Sequence, residues 1–465
     1  MRTHFPCSGP FRPVFHLRRK LLSVFLLLVH ISVVQENPCL GASDCSNQKE
    51  KAKDKHISGD LYTNSSIEGR KPVQTTFVQG GDGEPGRTLS VMFWNVENFF
   101  DWRNDSTTVS DAEFSAAGER HWTWKRFQAK ANAFAKALLW VSADTGRLPD
   151  IVGLAEVENA FVLRQVLTKT LLRKLDYKYV HYDSPDRRGI DVALLYRTSV
   201  LELLDSKPCH LYADAGPPGA PGVSGTPGAA ADSVMATRDI LLCIFREKRS
   251  VIPGSIGHLP EKENSPPFEG ACGGKFAVLV NHHPSKYGGA SESDSRRRLA
   301  VQRLRFLADS LSAAGIDRII ACGDFNDTPD NPVFQLLEPA LVPMHTALFR
   351  RGEGTIKYEG KWDLIDHIYV SPGWLSDRMG TASGPAGKLP SSGPAGKQLS
   401  TRPAGQQPLM RILRIPFLLT RDTAYTGEKP LRTYVGPRYT GGVSDHLPVL
   451  VVVRLPGQDV AAEPP

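Results

Sequence analysis

Ile319-Ile320-Ala321-Cys322-Gly323-Asp324-Phe325-Asn326-Asp327-Thr328-Pro329-Asp330 is the stretch on which the reading of this chain turns. Its first four residues are apolar and two of them are β-branched, the composition of a short strand buried on both faces. Gly323 ends that strand, and an acidic, amide-bearing loop follows at once. A carboxylate (Asp324) and a carboxamide (Asn326) two residues apart at a rigid strand end can grip a metal-bound water or a phosphate oxygen. Strand ends and the loops that leave them are where α/β proteins usually place their sites. The same residues also form ordinary Asx turns, which need no ligand. Whether other strands end in the same way separates the two readings.

They do. The run from Leu89 to Trp94 ends in Asn95, with Glu97 and Asn98 just beyond it. Ile151 to Ala155 is followed by Glu156, a charge that is awkward after so apolar a run unless it meets a cation; Glu158 is the structural alternative. Phe276 to Val280 runs into Asn281, His282, His283, Ser285 and Lys286. Two adjacent imidazoles leave open which one faces a site. The segment Trp362 to Val370 reads as a strand with Asp366 amid apolar neighbours and Asp363 close by. Ser444-Asp445-His446-Leu447-Pro448-Val449 sets an Asp–His pair immediately before the last strand. A turn from Ser184 to Gly189 throws out Arg187 and Arg188. Beside acidic strand ends, guanidinium groups can clamp a phosphate in a planar two-point manner that lysine cannot match.

Helical spacing appears between the strands. Phe127, Ala131, Phe134, Ala135, Leu138 and Leu139 predict a core-facing helix from about Arg126 to Val141. Further helices are expected over Phe161 to Leu175 and Ser293 to Ala314. The ends of the chain and two insertions are different in character. Residues 1–45 read as a signal peptide, or else an N-terminal anchor: Arg18-Arg19-Lys20 precede an apolar run from Leu21 to Val34 that is short for a membrane span. Residues 46–87 read as a disordered spacer, 213–232 and 380–405 as low-complexity insertions, and 457–465 as a disordered tail. One folded domain then occupies residues 88–456.

Composition narrows the chemistry further. The net charge of +7 in 465 residues makes a mildly basic surface that suits phosphate-bearing substrates. None of the seven cysteines lies in a CxxC or another metal-ligand spacing, which argues against a structural zinc built on thiolates. In an exported protein two of Cys209, Cys243 and Cys272 could pair, whereas Cys322 reads as a packed thiol. Hard oxygen ligands without cysteine fit Mg²⁺, Mn²⁺ or Ca²⁺ rather than zinc.

In order and in local sequence, these strand ends resemble the endonuclease/exonuclease/phosphatase superfamily. Gly323-Asp324-Phe325-Asn326 and Ser444 to Val449 are the most diagnostic strings, and the likeness runs from Leu89 to Leu455 apart from the insertions. Local matches at Phe93–Asp101, His121–Arg126, Glu156–Asn159 and Arg188–Arg197 look like its exported bacterial branch. The resemblance implies an α+β, DNase-I-like four-layer sandwich of two packed, mostly antiparallel sheets flanked by helices. It implies Mg²⁺ (or Mn²⁺ or Ca²⁺) held principally by Glu156, with Asn95 and Asp445 close to it. Asp324 would orient or deprotonate the attacking water, and Asn326 would hold it or a phosphate oxygen. His446, fixed by Asp366, would contact the phosphate, while His282 would stabilise it or protonate the leaving group.

The expected activity is hydrolysis of phosphodiesters by a secreted or cell-envelope (periplasmic) enzyme, with nucleic acid as substrate. Arg187, Arg188 and Lys286 are the expected substrate contacts. Lipid or inositol phosphates are the alternative substrates, and a catalytically silent binding protein is the alternative of another class. No stable protein partner is expected, and membrane contact only through an uncleaved N-terminal segment.

Overall fold

A computed structural model describes residues 88–105, 109–213, 234–248, 274–285, 290–375 and 409–455. The expected signal segment, spacer and C-terminal tail, the insertion at 380–405 and nearly all of that at 213–232 lie outside the described residues, as does Lys286.

The chain opens with β1 (Thr88–Phe99), a short helix α1 (Val109–Glu113) and the long helix α2 (Trp124–Thr145). β2 (Ile151–Val157), α3 (Ala160–Lys169), β3 (Tyr177–His181), β4 (Asp191–Arg197), β5 (Leu201–Cys209) and β6 (Ile240–Glu247) follow. Next come β7 (Lys275–His282), α4 (Ala290–Ala313), β8 (Ile319–Asp324), β9 (Val342–Pro343) and α5 (Thr346–Arg350). A hairpin of β10 (Ile356–Tyr358) and β11 (Lys361–Asp363) precedes β12 (Asp366–Val370). The last stretch holds β13 (Arg411–Ile412), the hairpins β14 (Leu419–Arg421)/β15 (Glu428–Pro430) and β16 (Tyr434–Val435)/β17 (Arg438–Tyr439), and β18 (Val449–Arg454).

Two six-stranded sheets carry the fold, in the orders β13-β18-β1-β2-β4-β3 and β5-β6-β7-β8-β12-β9. Each has one parallel pair at its centre, β1 with β2 and β7 with β8, and all its other pairs are antiparallel. The period-2 alternation of strand side chains explains the layering. Leu89, Val91 and Phe93 join Val278, Val280, Ile320 and Cys322 in a core between the sheets. Met92, Trp94 and Val96 point the other way, onto Phe127, Phe134 and Leu138 of α2. Ala277, Leu279, Ile319 and Ala321 meet Ala300, Val301, Leu304 and Leu307 of α4 on the outer face of the second sheet. The central strands are therefore covered on both faces, which is why they read as unbroken apolar runs rather than alternating ones. The architecture is the expected α+β sandwich of helices, sheet, sheet and helix.

Local details depart from the sequence reading. Gly323 does not end β8; the strand continues to Asp324. A Cβ on Gly323 would lie 2.4 Å from the carbonyl oxygen of Asn281, so the residue is small because β7 passes close by. The helix expected over Phe161–Leu175 stops at Lys169, and a 3₁₀ turn covers Leu171–Lys174. Thr170 makes this break, its Oγ1 bonding the Val166 carbonyl and accepting from Leu172 N. The strand expected over Trp362–Val370 is two strands separated by Leu364 and Ile365. α4 begins at Ala290, three residues before the expected start at Ser293. Cys209 and Cys243 are free, buried thiols and do not pair, Cys272 lies outside the described residues, and Cys322 is the expected packed thiol.

Candidate active site

Topology brings the polar strand ends to one rim. The regular parallel pairing of β1 with β2 breaks at Asn95 and Glu156 and that of β7 with β8 ends at His282 and Asp324, while the antiparallel β12 and β18 start beside them. Asp324 is register partner to both His282 and Asp366. Glu156 reaches this rim through a register shift that interrupts β2 pairing with both β1 and β4. Such an irregularity turns a side chain off its strand face.

Four rim residues, Glu97 (φ 46), Asn98 (φ 49), Glu156 (φ 65) and Asn326 (φ 52), occupy the left-handed region. Non-glycine residues rarely adopt it, and such backbone gathers where surrounding contacts fix a functional geometry. Those contacts are present here. Glu156 Oε2 accepts from Asn98 N at 2.8 Å, Asn95 Oδ1 from Glu97 N at 2.9 Å, and Asp324 Oδ1 from Asn326 N at 2.8 Å.

Asn95 is the hub. Its Nδ2 donates to Asp324 Oδ2 at 3.0 Å and to Glu156 Oε1 at 3.3 Å, so one amide bridges two carboxylates from different sheets. His282 Nε2 stands 3.8 Å from Asp324 Oδ2 and 3.9 Å from Glu156 Oε1. Opposite it, His446 Nε2 stands 3.9 Å from Asp324 Oδ2 and 3.8 Å from Asp445 Oδ1. The other ring nitrogen of His446 meets Asp366 Oδ2 at 2.8 Å. Ser444 holds the turn before His446, donating to Asn95 O at 2.6 Å and accepting from His446 N at 2.9 Å.

Burial and neighbouring charges set the electrostatics. Burial pushes the Asp324 carboxyl up to about 7, with His446 pulling it back and Asp366 adding repulsion. Burial works against a charged His446, but Asp366, then Asp324 and Asp445, hold the ring well above the usual histidine value. His282 is held well below it by burial and by the charges of Arg238 and Arg188. One imidazole is thus kept as a cation and the other neutral, across the same carboxylate. Such opposed environments separate acid from base roles.

The two histidines in sequence part company. His282 faces Glu156 and Asp324, whereas the His283 ring packs 4.5 Å from Phe325 in the core and is pushed down to about 3 by burial. Asp366, not Asp363, partners His446; Asp363 pairs with Lys361. Glu158 lies apart, accepting from Asp101 N at 2.7 Å. Asn326 Nδ2 donates to His283 O at 2.9 Å. Arg187 and Arg188 are both exposed on their loop, and the charge of Arg188 reaches His282.

Four participants are given no role by the sequence reading, although it notes Glu97 just beyond Asn95. Arg238 is buried, donating to Asp186 Oδ2 at 2.9 Å and to His283 O at 2.7 Å. Arg432 links Glu97 Oε1 at 3.0 Å to Asp445 Oδ2 at 3.1 Å. Beneath them the buried Lys130 donates to Glu97 O and, at 2.9 Å, to Thr433 Oγ1. Burial lowers its ammonium to about 8, although Glu97, Glu156 and Asp445 favour the charge. Burial and Asp445 push the fourth, Glu97, up to about 7 against Arg432 and Lys130. Lys130 carried a signal, since it stands on the apolar stripe of α2 between Phe127 and Phe134. Arg432 carried none, coming from a stretch of short hairpins without periodicity.

The donor set suits a hard divalent cation. Glu156, Asp324 and Asp445 supply carboxylate oxygens around one cleft, no cysteine stands among the described rim residues, and Asp324 and Asp366 bring carboxylate oxygens within 4.8 Å of each other. Asn95 turns its amide nitrogen toward the two carboxylates and its oxygen toward Glu97 N.

Solved structures similar to this chain include an endonuclease/exonuclease/phosphatase family protein from Bacteroides thetaiotaomicron at 15% identity, covering 80% of this chain and 99% of that one with a TM-score of 0.43. The human Nocturnin catalytic domain with bound sulfate is similar at 16% identity, over 79% and 95% of the two chains, with a TM-score of 0.39. A Bacteroides thetaiotaomicron mannosyl-6-phosphatase is similar at 15% identity, over 78% and 98%, with a TM-score of 0.40. No curated protein sequence matches the chain. Residues 90–218 and 270–383 match the model of the Endonuclease/Exonuclease/phosphatase family, which spans the strands that carry Asn95, Glu156, His282, Asp324 and Asp366, and the chain belongs to that family of phosphoester hydrolases.

Proposed function

We propose that this protein is a secreted, Mg²⁺-dependent phosphodiesterase that cleaves nucleic acid. The observation that supports it best is the continuous polar chain from Glu156 through Asn95 and Asp324 to His446 and Asp366. Hydrolysis of a phosphodiester needs charge on the phosphate, a positioned water and help for the leaving oxygen. A divalent cation here would be held principally by Glu156, with Asn95 and Asp445 beside it, and would supply Lewis acidity at the phosphate.

The remaining work falls to this chain's own groups. Asp324, poised near 7, accepts the proton of an attacking water, and Asn326 holds that water or a phosphate oxygen. His446, kept cationic and fixed by Asp366, donates to a phosphate oxygen. Neutral His282 stabilises the phosphate or the leaving oxygen by donating an N–H hydrogen bond. Arg188, with Lys286 and Arg187, meets the phosphates beyond the scissile one. A polynucleotide fits the net charge of +7 better than a neutral ester does.

The test uses purified residues 46–465 on plasmid and single-stranded DNA, on bis(p-nitrophenyl) phosphate and on a phosphomonoester, with and without EDTA. Cleavage of DNA and diester that EDTA abolishes is expected. Turnover confined to the monoester would replace this reading with a phosphatase. Export is tested by N-terminal sequencing of the mature protein, which is expected to begin near Gly41–Ala42, small residues that suit cleavage after the Leu21–Val34 run.

A further inference from the structure

Away from the catalytic rim, a cluster of metal-ligating side chains lies at the base of the β3–β4 loop. His181 ends β3, Asp191 starts β4, and Asp183 stands between them. One ligand atom from each lies within 4.8 Å of the other two. His181 Nε2 is 3.4 Å from Asp191 Oδ2, and Nδ1 is 3.9 Å from Asp183 Oδ1. The His181 side chain is only 2% exposed, and its Nε2 is sealed from solvent without a hydrogen bond. Asp191 is 5% exposed; Ser184 donates to its Oδ1 from both backbone and hydroxyl, which leaves Oδ2 turned to the imidazole. Among the described residues, no lysine or arginine pairs with Asp183 or Asp191. His181 Nε2 and Asp191 Oδ2 have only each other among the described residues, at 3.4 Å and without a well-formed hydrogen bond, and a shared cation would satisfy both.

We propose that His181, Asp183 and Asp191 form a second, structural cation site that takes Zn²⁺. One imidazole and two carboxylates, with a water completing the tetrahedron, make an N/O set that zinc accepts. Mg²⁺ and Ca²⁺ favour oxygen alone. Ser184 has the part of an outer partner that orients the ligating carboxylate. The site has a structural consequence for the loop above it. Asp186 in that loop accepts from Arg238 at 2.9 Å and from Arg188 N at 3.0 Å, and the charges of both arginines bear on His282. An ion joining the end of β3 to the start of β4 therefore stiffens the mount of Arg188 without entering the cleft.

The test is a Zn²⁺ titration of the EDTA-stripped full chain by calorimetry and metal analysis. Glu156→Gln is run in parallel, so that any ion in the catalytic cleft is counted separately. One zinc that persists in Glu156→Gln and raises the melting temperature is expected. His181→Asn is expected to lose it, and Asp183→Asn to weaken it by about 10-fold or more. Asp183 is 90% exposed, so its variant decides the matter even if His181→Asn fails to fold. Equal zinc affinity in the wild type and Asp183→Asn overturns the site. So does a chain that binds no zinc beyond the ion lost with Glu156→Gln, leaving His181 and Asp191 an ion pair only.

Discussion

Replacing Asp366 by asparagine keeps the shape of the side chain and removes the charge that faces His446 across 2.8 Å. At an effective dielectric of ~20, two unit charges at that distance attract by about 6 kcal/mol. Withdrawing both from water costs several kcal/mol per ion, so the net worth of the pair is far smaller than the attraction. Stranding one buried partner costs roughly 3–5 kcal/mol, a loss the ring limits by giving up its proton. Burial alone lowers the histidine, so without Asp366 its value falls and the rate loses its cationic donor.

Asp366→Asn and His446→Ala should each reduce the rate by roughly 10²–10⁴, the span of one positioned acid–base group. The two residues act as a unit, so the double variant should be hardly slower than His446→Ala alone. The assay is kcat/KM on a diester for the wild type and all three variants, with a melting curve for each. Multiplicative losses would refute the dyad. So would a loss of stability in Asp366→Asn with the rate per folded molecule preserved, since Asp366 would then be only a structural acid.

Three further outcomes are expected. Glu156→Gln should abolish EDTA-sensitive hydrolysis and leave the circular dichroism spectrum and melting temperature of the metal-free protein close to wild type; unchanged turnover at saturating Mg²⁺ removes Glu156 as the principal ligand. His367 is buried, stacked on Phe325 and pushed down to about 3, so the unfolded chain takes up a proton below 6.5 that the native ring refuses. Its contribution is complete above 6.5 and shrinks with acid, so the stability gap between wild type and His367→Gln should narrow by about 2 kcal/mol from pH 6.5 to 5. Urea titrations that give parallel pH profiles contradict this. Deleting 213–232 or 380–405 should shift the melting temperature little and preserve activity, and loss of soluble protein on either deletion contradicts the reading of these stretches as insertions.

The sequence alone determined the central strands and marked the polar residues near their ends. Apolar runs such as Leu89–Trp94 and Phe276–Val280 admit little else than a buried strand, and a polar residue where such a run stops stands out. That local contrast singled out Asn95, Glu156, His282, Asp324 and Asp445 with His446, and Asp366 stood out as a charge amid apolar neighbours. The structure brings these side chains together. The contrast was not enough to choose between His282 and His283, because adjacent residues on a strand face opposite ways and only the packing of Phe325 decides which way is inward. Nor could it reveal Arg238, whose partners Asp186 and His283 lie 52 and 45 residues away in the chain, or Arg432, which ties Asp445 to Glu97, 335 residues away. Their roles exist only once two sheets lie face to face with the ends of their parallel pairs on one rim. The tertiary structure also decided that His282 stays neutral while His446 stays charged. A pKa records burial and the nearest charges, and neither is a property of a residue's place in the sequence.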